Sequence, residues 1–378
     1  MEPYEFRLPA VLRVGVGAHR LIPAEVSRLG ARRLLVVSDG NCARIPEVGA
    51  LVEELRRRVE ALELFVDVPG EPTSVEVDNG LAALGRLGSD ALVLGVGGGA
   101  VLDTAKAVAA LATNGGRIAD YMGRDKLARP RLPLVLAPTT AGTGSEATRY
   151  TVITEPTTDV KMLITDWKLL PDVAVVDPLL VVGSPPAVTA SSGVDALTHA
   201  IEAYVSQRRQ PTADLFALGA IRQLYPALLA AFRDGRDLEA RTSTLLGALH
   251  AGIAFCNSSV ALVHGMSRPI GAHFHVAHGL SNSMLLPTIT AWSLPAAPDR
   301  YRDLAVAMGL GSEQELPGAL EKLAADLNIP RLGQVVDRAR LLAAAPQMAR
   351  DALASGSPQN NPRVPSADEI IALYERCL

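Results

Sequence analysis

Cysteine, aromatic side chains, charge of one sign and long apolar runs are all scarce in this chain, and each scarcity removes a class of function. The three cysteines, Cys42, Cys256 and Cys377, are far apart. They form neither a disulfide framework nor a zinc knuckle, and they suit a reducing cytoplasm. Cys377 is next to last rather than fourth from the end, so it makes no prenylation box. No run reaches the roughly 18 apolar residues of a membrane span. The acidic, proline-bearing N-terminus lacks the apolar centre of a signal peptide. A net charge of -4 leaves no basic face for nucleic acid. Arg56, Arg57 and Arg58 lie among glutamates and read as a solvated helix face. With 4% aromatics, the cores must be built from Ala, Leu and Val. A small-molecule partner is expected, with neither nucleic acid nor membrane.

At 378 residues there is room for two domains. Residues 32–40 form a short apolar run closed by Ser-Asp-Gly, which reads as a buried parallel strand. A helix is expected at 46–60, a strand from Leu62, a helix near 74–88 and a strand at 91–95. This βαβαβ alternation predicts a doubly wound, Rossmann-like parallel sheet. A strand over 132–138 and a hairpin from about 149 to 165 follow, with a last strand at 171–178. Beyond Ser184-Pro185-Pro186 only helical windows remain, near 187–206, 211–232, 237–256, 260–272, 278–290, 296–308, 315–327 and 365–377. The expected division is an α/β domain over 1–184 and an all-α domain over 185–378.

Gly97, Gly98, Gly99 and Ala100 stand between a strand and the helix that Asp103 and Lys106 open. Such glycines bring backbone N–H groups close to a phosphate, and a helix N-terminus adds its positive end. A tight turn without a ligand is the alternative. Asp39, at the carboxyl end of an earlier strand, is better placed than Asp120 to read a ribose. The segment from Thr139 to Glu146 packs four hydroxyls and two glycines into eight residues and offers many donors to a ligand.

Five of the 7 histidines fall between His250 and His278. Asp195 and His199 are four apart, so a helix projects them from one face. With His264 and His278 they would suit Zn or Fe(II). The alternative is a scatter of helix histidines satisfied by carbonyls. A phosphate cradle in one half and a metal set in the other predict a nucleotide and a metal meeting at an interdomain cleft.

Four stretches carry a resemblance: 97–106, 138–146, 193–204 and His278-Gly279 followed by Leu286-Pro287. With these, the chain resembles the iron-containing, group III alcohol dehydrogenases over nearly its whole length. The resemblance implies a dehydroquinate synthase-like architecture and NAD(H)-linked interconversion of a small alcohol and its aldehyde or ketone. It implies Asp195, His199, His264 and His278 as metal ligands. Gly97, Gly98 and Gly99 would hold the pyrophosphate of the cofactor, and Asp103 would belong to the cofactor-binding residues. Thr139, Thr140 and Thr143 would line the nicotinamide side, and Lys161 would contact the cofactor from the hairpin. A carboxylate at Asp39 repels a 2′-phosphate, so NAD is favoured over NADP. Iron follows from the family, whereas affinity order alone would choose Zn. A homodimer pairing through residues 5–15 is also implied.

The chain departs from the family at Arg268, where many members have a histidine assigned to cofactor contact or proton relay. A guanidinium cannot act as a base. Either bound water or a neighbour such as His275 or His273 would then move the proton, while Arg268 would face an anionic substrate or the cofactor phosphates. An ordinary salt bridge is the alternative for Arg268. Two other functions stay open: a lyase like dehydroquinate synthase, and a catalytically silent metal- and nucleotide-binding protein.

Overall fold

In the computed structural model, which describes residues 3–88 and 90–378, the chain divides into two compact units. One is Leu8–Ser184, and the other is Pro185–Leu378 together with residues 3–7. The first unit runs β1 (Val11–Val14), α1 (Ile22–Arg28), β2 (Arg33–Val37), α2 (Pro46–Arg56), β3 (Ala61–Phe65), α3 (Ser74–Gly85) and β4 (Ala91–Gly97). It continues with α4 (Gly99–Asn114), β5 (Gly123–Arg124), β6 (Leu134–Pro138), β7 (Tyr150–Glu155), β8 (Val160–Thr165) and β9 (Val173–Val176).

Six strands form a parallel sheet in the order β1-β9-β6-β4-β2-β3. Leu34 and Val36 of β2 enter one buried cluster, while Leu35 and Val37 enter the other. Both faces are therefore covered, which is why the inner strands read as unbroken apolar runs. From β2 the chain travels outward to β3, then returns to the other side of β2 as β4 and continues to β6. The loops after β2 and β4 leave the carboxyl edge in opposite directions and open a crevice there. Asp39 follows β2, and Gly97 ends β4 with Gly98 and Gly99 after it, so topology delivers both to that crevice. A second sheet joins β7 and β8 antiparallel, with β5 alongside β8. A capping box starts α3: Val75 N donates to Thr73 Oγ1 at 3.2 Å and Thr73 N to Glu76 Oε2 at 2.8 Å.

The helical unit contains α5 (Pro186–Val205), α6 (Pro211–Arg233), α7 (Leu238–Asn257), α8 (Leu262–Phe274) and α9 (His278–Ser293). Then come α10 (Pro298–Ala307), α11 (Leu316–Asp326), α12 (Leu332–Val335), α13 (Arg338–Ala354) and α14 (Ala367–Arg376). Prolines open α5 and α6, where a missing N–H costs nothing. Helix α6 is long and apolar enough by composition to cross a membrane. Here it lays a stripe that includes Ala213, Ala217, Ala220, Leu224 and Leu228 into the helical core, and Asp214 pairs with Arg300 at 2.7 Å.

Two expectations need correction, and a third is narrowed. Helix α13 has no counterpart among the helical windows read from sequence, because Pro346 interrupts its pattern; Asp337 nonetheless caps its start through Arg340 N at 2.8 Å. Residues 3–7 do not belong with the α/β unit. Arg7 exchanges backbone hydrogen bonds of 2.7 Å with the Asn257 side chain, and Phe6 stacks on Phe216 at 5.7 Å. The strand near the N-terminus is confined to Val11–Val14 and pairs with β9 of its own sheet.

Candidate metal centre and cofactor site

Helix α5 is buried on nearly every side, and Asp195 and His199 lie one turn apart on it. His264 sits in the first turn of α8, and His278 opens α9. A carboxylate oxygen of Asp195 and ring nitrogens of His199 and His264 all lie within 4.8 Å of one another. His278 Nε2 is slightly wider, 3.9 Å from Asp195 Oδ1, with its ring centroid 5.3 Å from that of His264. The His199 ring is held between Phe255 at 4.3 Å and His264 at 4.5 Å, stacked on both. Burial, followed by the neighbouring His199, pulls His264 well below the usual imidazole range, and burial lowers His278 as well. Both imidazoles are therefore neutral and present lone pairs.

Glu202, two turns along α5 from Asp195, stands behind this set. Its Oε2 lies 2.6 Å from His264 Nδ1 and accepts from Ala261 N at 2.9 Å, while Oε1 accepts from Val263 N at 2.5 Å. The carboxylate accepts a hydrogen bond from Nδ1–H, so the proton stays on Nδ1 and the Nε2 lone pair faces Asp195. Burial pushes Glu202 up to about 7. Ser267 Oγ lies 3.4 Å from His278 Nδ1 and 2.7 Å from Ser281 Oγ, which fixes that ring in turn. Asn282, one turn after His278, aims Nδ2 at Asp195 Oδ1, His264 Nε2 and His278 Nε2, at 2.6, 3.1 and 3.1 Å. Its Oδ1 is buried without a hydrogen-bond partner among the described residues. One carboxylate and neutral imidazoles converging on a donor suit a borderline divalent cation such as Fe(II) or Zn. Close approach of α9 to α5 needs Gly279, where a Cβ would meet Ser191 O at 2.7 Å.

In the α/β unit the three threonines each lie against one glycine. Thr139 N donates to Gly97 O at 2.9 Å, Thr140 faces Gly98, and a Cβ on Gly99 would strike Thr143 Cγ2 at 2.6 Å. Helix α4 starts at this cradle with its N–H groups unspent on the helix. A cavity of about 610 Å³, lined by Asp39, Asn41, Arg44, Pro69, Gly98 and Ala100 among others, adjoins it. That size suits a nucleotide moiety, and glycine backbone beside a carboxylate suits pyrophosphate and ribose.

Residues 9–178 match the family model for iron-containing alcohol dehydrogenase, and residues 189–378 match the C-terminal model of the same family. The chain belongs to the iron-containing alcohol dehydrogenases. It is 41% identical to the long-chain-alcohol dehydrogenase 1 of Geobacillus thermodenitrificans (strain NG80-2), over 85% of this chain and 84% of that one. It is 35% identical to a 1,3-propanediol dehydrogenase of Klebsiella pneumoniae, over 99% and 98%. An NAD-dependent methanol dehydrogenase of Bacillus methanolicus is 34% identical over 99% of both. A solved 1,3-propanediol oxidoreductase superposes with a TM-score of 0.95 at 33% identity, covering 100% of both chains. A sulfoacetaldehyde reductase from Bifidobacterium kashiwanohense, solved with NAD+, gives 0.90 at 25% identity, covering 100% of this chain and 99% of that one.

The resemblance read from the motifs thus holds, as does the expected fold: a parallel α/β half and a helical half in the dehydroquinate synthase-like arrangement of this family. The chain is an oxidoreductase acting on CH–OH groups with a metal and a nicotinamide cofactor.

Within this iron-containing dehydrogenase, several expected residues stand elsewhere than the sequence suggested. Asp103 turns away from the cradle: Oδ1 accepts from Ser145 Oγ at 2.6 Å and Oδ2 from Val152 N at 2.8 Å. It clamps the threonine loop and the hairpin onto α4. Buried Lys106 does the same, donating to Ser145 Oγ, Thr148 O and Tyr150 O at 2.8–3.0 Å. Lys161 is ion-paired with Glu71 at 2.7 Å and would have to leave it to reach a cofactor. His275 ends α8 in the left-handed region at φ 56, exposed, and no hydrogen bond among the described residues links it to the ligands. Arg268 Nη1 donates to Ser357 Oγ at 2.9 Å. Glu202 and Asn282 were not read from sequence. Glu202 had a signal, because Asp195, His199 and Glu202 recur at helical spacing on one face.

Proposed function

We propose that Asp195, His199, His264 and His278 hold a divalent metal, and that Gly97, Gly98, Gly99, Thr139, Thr140 and Thr143 hold NAD(H), for reversible oxidation of a small alcohol. The observation that carries this reading is the convergence of Asp195, His199 and His264 within 4.8 Å, with Glu202 fixing the His264 tautomer. The metal, Fe(II) by family, supplies Lewis acidity at the substrate oxygen, and the nicotinamide supplies the hydride acceptor or donor. The protein's own work is orientation. Glu202 and Ser267 hold the rings of His264 and His278, and the Asp103 and Lys106 network fixes the loop bearing Thr139, Thr140 and Thr143. Asp39 accepts from the adenosine ribose and disfavours a 2′-phosphate. Half-exposed His278 marks where the ligand set meets water, and the hydroxyl proton leaves there.

We further assign cofactor binding to Leu8–Ser184 and metal binding to the helical unit. All three cysteines are buried and unbridged, which supports work in the cytoplasm. Strand β1 is an edge strand with Val14 and Val16 exposed, which supports a homodimer formed there. The test of function is chelator-stripped protein reloaded anaerobically with Fe(II) or Zn(II) and assayed for NADH formation over an alcohol panel. Turnover should need the ion and disappear in Asp195→Ala. Turnover by metal-free protein, or none with any ion, would contradict the reading.

A further inference from the structure

Helices α7 and α8 meet at 101° across residues 258–261, and this corner sets the two rings that enclose His199. Phe255, in the last turn of α7, stacks on His199 at 4.3 Å, and His264, in the first turn of α8, stacks on it at 4.5 Å. One peptide group in the corner, the C=O of Val260 with the N–H of Ala261, is gripped at both ends. Ala261 N donates to Glu202 Oε2 at 2.9 Å, the same oxygen that lies 2.6 Å from His264 Nδ1. At the other end, Asn360 Nδ2 donates to Val260 O at 3.1 Å and to Ser259 Oγ at 2.8 Å. Asn360 is buried, and its main chain is held independently of the amide. Its O accepts from Gln207 N at 2.7 Å, its N donates to Ser357 O at 3.0 Å, and Pro358 packs on Gly265 of α8. Hydrogen bonds in line through a buried amide strengthen one another, so the grip at Val260 O is felt at Ala261 N and beyond it.

We propose that Asn360 is a positioning residue for the metal centre, acting on His264 through the Val260–Ala261 peptide and Glu202. This rests on the reading of Asp195, His199, His264 and His278 as metal ligands. Removing the amide takes its donor from Val260 O and frees the peptide to tilt. The Glu202 carboxylate follows Ala261 N, and the His264 ring follows the carboxylate. The segment around Asn360 stays in place, because its main-chain bonds do not use the amide.

The probe is Co(II), loaded into chelator-stripped protein. Competition with a chromogenic chelator reads its affinity, and the visible absorption bands read its ligand field. Asn360→Ala should bind Co(II) about 10-fold more weakly, the lower end of what losing a group behind a metal ligand costs, and should shift the bands. Asn361→Ala is the control, since that amide donates to Ser293 Oγ at 2.9 Å and Arg363 O at 2.8 Å within the same segment. It should lower Tm to a similar degree while affinity and bands stay at wild type. In a Glu202→Gln background, Asn360→Ala should cost about 2-fold or less, because the link is already cut. Asn360→Asp has the same size and no side-chain N–H; it should match Asn360→Ala and replaces it if the alanine variant does not fold. Wild-type affinity and bands in the Asn360 variants would overturn the proposal. So would equal losses in Asn361→Ala, or an undiminished loss in the Glu202→Gln background. A wild type that binds no Co(II) would instead overturn the metal-centre reading, and the proposal with it.

Discussion

Asn282 Nδ2 lies 2.6 Å from Asp195 Oδ1, so a neutral amide donates into a cluster of atoms that would otherwise face one another as lone pairs. A cation competes for those same lone pairs. In Asn282→Ala the metal-free protein leaves a buried carboxylate short of a donor, which costs about 1–3 kcal/mol. The metal-loaded protein should lose less, so the metal-induced rise in Tm should grow. Scanning calorimetry with and without Zn(II) reads this directly. An equal drop in both states would show that Asn282 contributes only packing.

Glu202 accepts a hydrogen bond from Nδ1–H of His264, and Gln would set an amide N–H2 against one of the donors Glu202 now accepts from. Glu202→Gln should weaken metal affinity by about 10- to 100-fold, measured by competition with a chromogenic chelator. Unchanged affinity would mean that the backbone donors of Ala261 and Val263 are what Glu202 serves.

Asp39 Oδ1 accepts from Asn41 N at 2.8 Å and Cys42 N at 2.9 Å, so Asp39→Asn keeps an acceptor for that turn while removing charge. The ratio of kcat/KM for NADP over NAD should rise by about 10-fold or more. Arg44, which lines the same cavity, is positioned to help. A ratio that stays fixed would place the 2′-position away from Asp39.

Burial pushes Glu146 up from 4.5 to about 7. Between those values the folded chain binds more protons than the unfolded chain, so stability falls as pH rises through that window and stays lower above it. Asp103 remains as a charge partner for Lys106 when Glu146 is neutralised. Glu146→Gln should therefore raise Tm by about 2–4 °C at pH 8 and leave it nearly unchanged at pH 4.5. A uniform shift at both pH values would show that the carboxyl is not titrating there.

The α/β half was legible because strands covered on both faces must be apolar without interruption, and β2 and β4 are. The ligand quartet was legible as pairs at helical spacing, although only the fold shows that α5, α8 and α9 bring them together. The hydrogen-bond partners of Asp103 were not legible, for a physical reason. Asp103 stands beside the glycine cradle in sequence, but its partners Ser145 and Val152 lie more than 40 residues later and nothing local announces them. Asn282 left no trace either, since an amide one turn after a histidine means little until three other side chains surround it. Helix α13 was hidden by Pro346, which its packed context tolerates.

The clasp between Arg7 and Asn257 bears on any attempt to dissect the molecule. A fragment beginning at Pro185 would hold every proposed metal ligand yet leave the Asn257 amide and the Phe216 ring without Arg7 and Phe6. A stand-alone metal-binding half is better made by splicing residues 3–7 onto it than by cutting at the boundary the sequence suggests, because that half is discontinuous in the gene.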